Sequence, residues 1–461
     1  MNKQLASDSI KPSGAGFQEG LVTALLAVTV IIVVMNTMMF NLALPEVSKQ
    51  FGLSSISASW IVTGYSIVFA ISSITYSRLS DYLPIRTLLT VGILSLGGAS
   101  ILGFFSHSFA LLLTARLIQA SGAASVPALG IVLLTRFIPA ERRGKAMSMV
   151  MSASSLGLGL GPVIGGAVIQ YMGWNYLFAV TGIVLFLTPV FYRLLPKEAS
   201  QRVNFDFAGA LLIGLGTTAM LLFLTTRMWV LLLVGLAALY LFWLRIHRAP
   251  SPFVQPALFR NKPYMTLSAL GVVSYLNNFA TLFLMPQILA HLFQLSPGQS
   301  GLIIFPGAVL SMIASNRIGK IIDRFGNGVF VKYASWFIMA SAVLFALFAG
   351  SSIYAIMLIY MLMSVGFTAL TTSVSNEMSQ RLSKEEIGAG MGLFQLIQFF
   401  SGAFSVAVTG SALVWQQGLP LPTAYANVFW GMSAIVVIGV ICSLAYKGVR
   451  RPVAAARSLG R

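Results

Sequence analysis

The sequence predicts an all-α membrane protein of fourteen transmembrane helices, set out as two six-helix bundles with two further helices inserted between them. Three observations carry that reading. Hydrophobic residues make up 57% of the chain and charged residues only 9%, whereas a soluble domain has about a quarter charged. Apolar stretches of the roughly 20 residues needed to cross a bilayer recur fourteen times between Leu21 and Lys447. Of the 29 Lys and Arg, 26 lie on the even-numbered loops and the two tails. Lys49 and Arg227 lie on odd loops, and Arg116 lies inside a span. Basic loops resist translocation, so that side is expected to be cytoplasmic, with both termini on it.

The elements follow in order. The tail 1–20 carries Asp8 and Glu19 and lacks a small-residue cleavage site, so span 1 (21–45) reads as a retained helix, not a signal peptide. Spans 2 and 3 (58–78 and 87–106) flank the short turn Arg78-Leu79-Ser80-Asp81-Tyr82-Leu83-Pro84-Ile85-Arg86. Span 4 (109–135) holds Arg116, and span 5 (146–170) holds Gly157, Gly161 and Gly165. These glycines are four apart and form one smooth helix stripe beside Pro162, which bends the helix. Span 6 (174–195) closes the first bundle, residues 21–195. Spans 7 and 8 (207–226 and 228–247) lie within the insertion, 196–264. Spans 9 to 14 (265–290, 299–317, 330–349, 352–376, 389–414 and 428–447) form the second bundle, 265–447, before the tail 448–461. The division rests on an internal echo. After span 10 comes Gly319-Lys320-Ile321-Ile322-Asp323-Arg324-Phe325-Gly326, another short turn with one acid among bases, and Asp323 stands 242 positions after Asp81. Two parallel six-helix halves around a central site is a transporter plan.

Several classes of function fall away. His107, His247 and His291 are scattered and Cys442 is the only cysteine, so neither a metal cluster nor a disulfide is expected. A phosphate-binding loop is absent, so ATP is not expected to drive the protein. Paired carboxylates in a plausible cleft are absent too, which argues against an enzyme, and no cofactor or obligate protein partner is indicated. The net charge of +18 reads as a topology signal and an attraction to anionic membrane lipids, not as a nucleic-acid surface.

Four segments carry a family resemblance. They are Asn36-Thr37-Met38-Met39-Phe40-Asn41-Leu42-Ala43-Leu44-Pro45 at the end of span 1, Asp81 with Arg86 in loop 2–3, Arg116-Leu117-Ile118-Gln119-Ala120-Ser121-Gly122-Ala123-Ala124 in span 4, and Gly157, Gly161-Pro162 and Gly165-Gly166 in span 5. On these the chain resembles the major facilitator superfamily, and within it the 14-helix drug/proton antiporters, such as the tetracycline/proton antiporters of Gram-positive bacteria. The resemblance implies the major facilitator fold. It also implies export of a drug against protons by alternating access, a latch at Asp81 and Arg86 with its echo at Asp323 and Arg324, and a gating helix at Gly157, Gly161, Pro162, Gly165 and Gly166. The loop departs from the family pattern: Ser77 and Pro84 replace glycines, and Tyr82 replaces an arginine.

The largest departure is a missing charge. Where relatives carry an acid in span 1 the chain has Asn36, and where tetracycline antiporters carry a Glu in span 13 it has Gly402. All eleven acids fall in tails, loops or span ends. An unpaired Arg at mid-bilayer costs several kcal/mol, so Arg116, with Gln119 three residues on, is expected to line the central cavity. A cation in low dielectric needs a counter-charge. The polar set Asn36, Asn41, Gln119, Asn277 and Asn278, beside Tyr275 and Phe279, therefore fits a neutral or anionic amphipathic drug better than a cation or a metal–tetracycline complex. Restoring the acid with Asn36→Asp is expected to draw cations in. The carboxylates available for proton coupling are Glu377 and Glu46, with Asp81. An uncoupled facilitator or lipid flippase, or a tetracycline-metal/proton antiporter, stands as the alternative to a drug/proton antiporter of the bacterial plasma membrane.

Overall fold

The computed structural model describes residues 18–80, 83–138, 140–196, 198, 206–249, 252–382 and 387–446. Its fourteen long helices are α1 (Glu19–Phe51), α2 (Ser55–Leu79), α3 (Ile85–Phe104), α4 (Phe109–Phe137), α5 (Ala140–Met172), α6 (Tyr176–Leu194), α7 (Phe207–Thr226), α8 (Trp229–Arg248), α9 (Lys262–Phe293), α10 (Pro297–Phe325), α11 (Gly328–Phe348), α12 (Ile353–Arg381), α13 (Ile387–Trp415) and α14 (Leu421–Ala445). All fourteen are long and apolar enough to cross a membrane. Lipid offers no hydrogen bonds, so a spanning backbone must satisfy its own groups, and helices do so within one segment.

The sequence placed the helix centres well and several ends too early. Span 1 runs on past Pro45 to Phe51, with Val47 buried beyond the proline. Proline removes one N–H and one helical bond but leaves the chain free to continue when its far side is packed. Gly52, in the left-handed region at φ 61°, ends the helix. Side-chain caps set other starts: Ser54, Ser108 and Asn261 each accept from the backbone N–H three residues on, and Ser296 forms a reciprocal capping box with Gln299. Inside α6, residues Ile183–Leu187 tighten to a 3-10 turn.

Packing repeats at an interval of eight helices. α1 packs on α5 as α9 packs on α13, α2 on α4 as α10 on α12, α3 on α4 as α11 on α12, and α3 on α6 as α11 on α14. The repeat reaches single residues. Asn36, Pro45 and Gly161 recur as Asn277, Pro286 and Gly402, each 241 positions on. A Cβ on Gly161 would stand 2.6 Å from Met38 Cβ, and one on Gly402 would stand 2.8 Å from the Phe279 ring. Met38 and Phe279 are themselves 241 apart.

Two helix pairs make the main joint between the bundles, α2 with α13 and α5 with α10, and α1 also meets α9. The inserted α7 lies over α2 and α13, and α8 packs on α7. A polar knot fastens this pair at the end that bears the basic loops. Asp206 accepts from Gly209 N (2.9 Å), Arg245 Nε (2.7 Å) and Phe253 N (3.2 Å), while Arg78 of α2 donates to Phe253 O (3.4 Å). Burial pushes the Asp206 carboxyl up, but Arg245 and the two backbone N–H groups outweigh it and hold it below the usual carboxylate range.

The buried apolar side chains form three main bodies. One occupies the end away from the basic loops and draws on both bundles, from Met35–Val47 of α1 and Trp174–Phe178 of α6 to Phe279–Leu289 of α9 and Tyr425–Met432 of α14. At the basic end the core is split. One part belongs to α1 through α6. The other belongs to α9 through α14, with Ala70 and Ile74 of α2 and the ends of α7 and α8. The two bundles thus share one core at the opposite end, while at the basic end they meet along α2 and α13, through Ala70, Ile74 and the Ser73–Gln395 contact (3.4 Å).

Candidate functional site

Arg116 is the structural centre of the first bundle. It is 1% exposed. Its Nη1 donates to Gln119 Oε1 (3.0 Å) and to Asn36 Oδ1 (3.3 Å), and its guanidinium lies 3.9 Å from the Phe40 ring centroid and 4.1 Å from that of Tyr65. Planar guanidinium suits such stacking, which a lysine could not reproduce. Around this core, Gln119 Nε2 donates to Ser100 Oγ (2.7 Å), Thr181 Oγ1 donates to Asn36 Oδ1 (3.0 Å), and Asn36 Nδ2 reaches Tyr65 OH (3.5 Å). Five helices thus meet on one cation with neutral partners, and Arg116 Nε stays buried and unpaired. The structure brings Arg116, Gln119 and Asn36 together, and the rings of Phe40 and Tyr65 enclose the guanidinium.

The remaining polar candidates separate. Helical residues advance about 100° each, so Asn277 stands about 200° around α9 from Tyr275, and Asn278 about 60°. Asn278 therefore shares the face of Tyr275 and Phe279. Asn277 points into the second bundle, 2% exposed, with both amide atoms unpaired. Asn41 is also buried, with Oδ1 unpaired. Asn277 occupies the repeat position of Asn36 but lacks the partners that Asn36 finds in Arg116 and Thr181.

The glycine helix carries two small faces. A Cβ on Gly157, Gly161 or Gly165 would strike Ile31, Met38 or Met39 of α1, so that stripe packs within the first bundle. The adjacent face meets the second bundle. There a Cβ on Gly166 would stand 2.6 Å from Pro297 O, and one on Gly301 2.1 Å from Pro162 O. Ser296 Oγ donates to Gln170 Oε1 nearby (3.1 Å). Four-residue spacing finds a smooth stripe but not which neighbour fills it.

Of the latch residues, Asp81 lies outside the described residues, as does the side chain of Asp323. The Arg86 guanidinium stacks on Tyr192 of α6 at 3.6 Å, and Arg324 lies over Phe325 at 5.2 Å. Glu198 accepts from Ile85 N at the start of α3 (2.7 Å) and pairs with Arg136 (3.6 Å). Glu377 is engaged on every side: Asn327 Nδ2 (3.0 Å), Arg381 Nε (3.0 Å) and Tyr446 OH (2.5 Å) all donate to it. It ties α12 to the start of α11 and the end of α14. Glu46 is partly exposed near the sealed end of α1.

Sequence reasoning named Tyr275 and Phe279 but missed the rings that join them. Phe399 of α13 packs against all three apolar bodies, where the basic-end separation begins. Its centroid lies 4.7 Å from Phe69, 5.7 Å from Tyr275 and 6.3 Å from Phe279. Aromatic pairs four residues apart, Tyr65 with Phe69 and Tyr275 with Phe279, were the available signal. Among the described residues, no group of His, Cys, Asp and Glu could hold a metal ion.

A family model described as Major Facilitator Superfamily matches residues 26–406 and 267–460. The chain is 24% identical over 443 residues to the riboflavin transporter RibZ of Clostridioides difficile, covering 93% of this chain and 97% of that protein. It is 28% identical to the multidrug efflux pump LfrA of Mycolicibacterium smegmatis, covering 77% and 72%. It is 25% identical to the multidrug resistance protein Stp of Mycobacterium tuberculosis, covering 82% and 73%. The crystal structure of the human organic anion transporter MFSD10 (TETRAN) superposes with a TM-score of 0.67 at 16% identity, over 92% of this chain and 99% of that one, a likeness of fold.

Proposed function

Because the chain belongs to the Major Facilitator Superfamily of membrane transporters, we propose that it is a secondary active exporter, which removes a small hydrophobic antibiotic or drug from a bacterial cell by alternating access in exchange for protons. The observation that carries this reading is the asymmetry of its apolar packing: one continuous core at one end, two separate cores at the other. A carrier open to one side would have this form, and the basic loops support a cytoplasmic face on that side, where an exporter loads. Residues 21–195 and 265–447 are taken as the two moving bodies. The multidrug names of LfrA and Stp support a drug as cargo; the name of RibZ supports a flat metabolite equally well.

Proton exchange is the finer part of the proposal and rests on the family resemblance. Glu377 is the weaker of the two named carboxylates for this role, since three donors hold it. Glu46 and Asp81 stand ahead of it. An uncoupled facilitator is the second reading, favoured by the neutral surroundings of Arg116.

The test is a drug-susceptibility panel in an efflux-deficient bacterium expressing the chain, followed by uptake into inverted vesicles. Protection against neutral hydrophobic drugs and uptake that collapses with a protonophore are expected. Uptake indifferent to the protonophore would turn the reading to the facilitator, and no protection or uptake of any compound would overturn export.

A further inference from the structure

Six rings form a continuous series from the first bundle into the second. Tyr65 and Phe69 of α2 lie nearly parallel, with centroids 6.1 Å apart at 23°. Phe399 follows, tilted at 49° to Phe69. Tyr275 meets Phe399 at 75°, stacks on Phe279 at 5.8 Å and 21°, and reaches Phe367 of α12 at 5.4 Å. Phe69 and Phe279 are buried, whereas Tyr275, Phe367 and Phe399 are partly exposed. The partly exposed rings therefore lie at and beside Phe399, where the two basic-end cores and the shared core meet. Arg116 ends the series, with its guanidinium against Tyr65.

We propose that the carried solute is a flat aromatic molecule without positive charge, recognised by stacking on Phe399 and Tyr275, and that Phe399 sets this specificity. The proposal rests on the reading of the basic-end cleft as the transport site. Offset and edge-to-face ring contacts reward flat aromatic guests beyond the area they bury, and a rounded aliphatic guest of equal hydrophobicity gains only the area. Ring faces also attract cations, but the face of Tyr65 is taken by Arg116, whose charge no carboxylate offsets. A guest between Phe69 and Phe399 must also widen their 4.7 Å separation, because two stacked faces need about 7 Å between them. Occupancy thus acts on the contact between the bundles.

The test is equilibrium binding to the full-length protein in nanodiscs and uptake in proteoliposomes. Four probes serve: lumichrome (flat, neutral), pyrenesulfonate (flat, anionic), ethidium (flat, cationic) and adamantanecarboxamide (rounded, neutral). Native protein is expected to bind the first two at least about tenfold more tightly than the last two. Phe399→Leu, which keeps apolar bulk, should weaken the flat neutral and anionic probes about tenfold and adamantanecarboxamide less than about twofold, while Phe399→Trp should restore them. Equal loss for every probe, equal affinity for ethidium, or no binding of the flat probes would overturn the proposal. Loss of binding in Phe399→Leu with proteoliposome uptake unchanged would keep the stacking site and overturn the reading of the cleft as the transport site.

Discussion

Asn36 is where the missing acid and the buried cation meet. In span 1 the sequence shows an amide in place of a carboxylate, and from that alone Asn36→Asp should attract cationic drugs. The geometry reverses the expectation. Asn36 Oδ1 already accepts from Arg116 at 3.3 Å and from Thr181 at 3.0 Å. A carboxylate there would form a buried ion pair with Arg116 and present no net charge to a guest. Asn36→Asp alone is expected to leave uptake of a fluorescent cation unchanged, and Asn36→Asp with Arg116→Gln to raise it at least about tenfold, equal to ~1.4 kcal/mol. Inverted-vesicle uptake of that cation and of a labelled neutral drug decides it: a rise in the single variant would mean that Arg116 and the new acid do not pair. The link between Arg116 and Gln119 was legible because both lie on one helix three residues apart. Phe40, Tyr65 and Thr181 come from three other helices, and no single-helix pattern fixes how neighbours rotate against each other.

At the scale of the helix, α5 shows both the reach and the limit of the sequence. Its small residues announced close approach, and its motif resembles that of a gating helix. It carries two small faces, however, one against α1 and one against α10. The second is completed by Gly298 and Gly301 of α10, which no motif had singled out. A Cβ at Gly301 would stand 2.1 Å from the Pro162 carbonyl oxygen, a backbone atom with nowhere to go. Gly301→Ala should therefore part α5 from α10, at an overpacking cost of about 1–3 kcal/mol. It should lower the melting temperature in detergent and expose the sealed end to an impermeant thiol reagent at a cysteine placed at the buried Ile304, one turn from Gly301. Gly98→Ala, with nothing within 4 Å of the added carbon, should match the native protein in both measurements. A Gly301→Ala protein as stable and as well sealed as native would remove this contact from the seal.

For the whole molecule, the fourteen spans and their alternation were readable because a bilayer enforces length and hydrophobicity on every segment. The repeat was readable from one echoed turn. The conformation was not, since the same sequence must serve more than one state, and local patterns carry no record of which faces meet in each. On the proposed function, the split cores at the basic end and the single core at the other mark one end of a cycle, and such a carrier must break that core to release its cargo. The Gln170–Ser296 contact at 3.1 Å marks the seam. Cysteines at these two positions, in a background with Cys442→Ser, should be joined by a short oxidative cross-link. Turnover should then fall at least about tenfold and recover with reductant, since a chain held in one state can bind but not release. Binding of the guest from the basic side should survive the cross-link. Full turnover in the cross-linked protein would show that the seam does not open during transport, and the site of release would then have to be sought along α2 and α13.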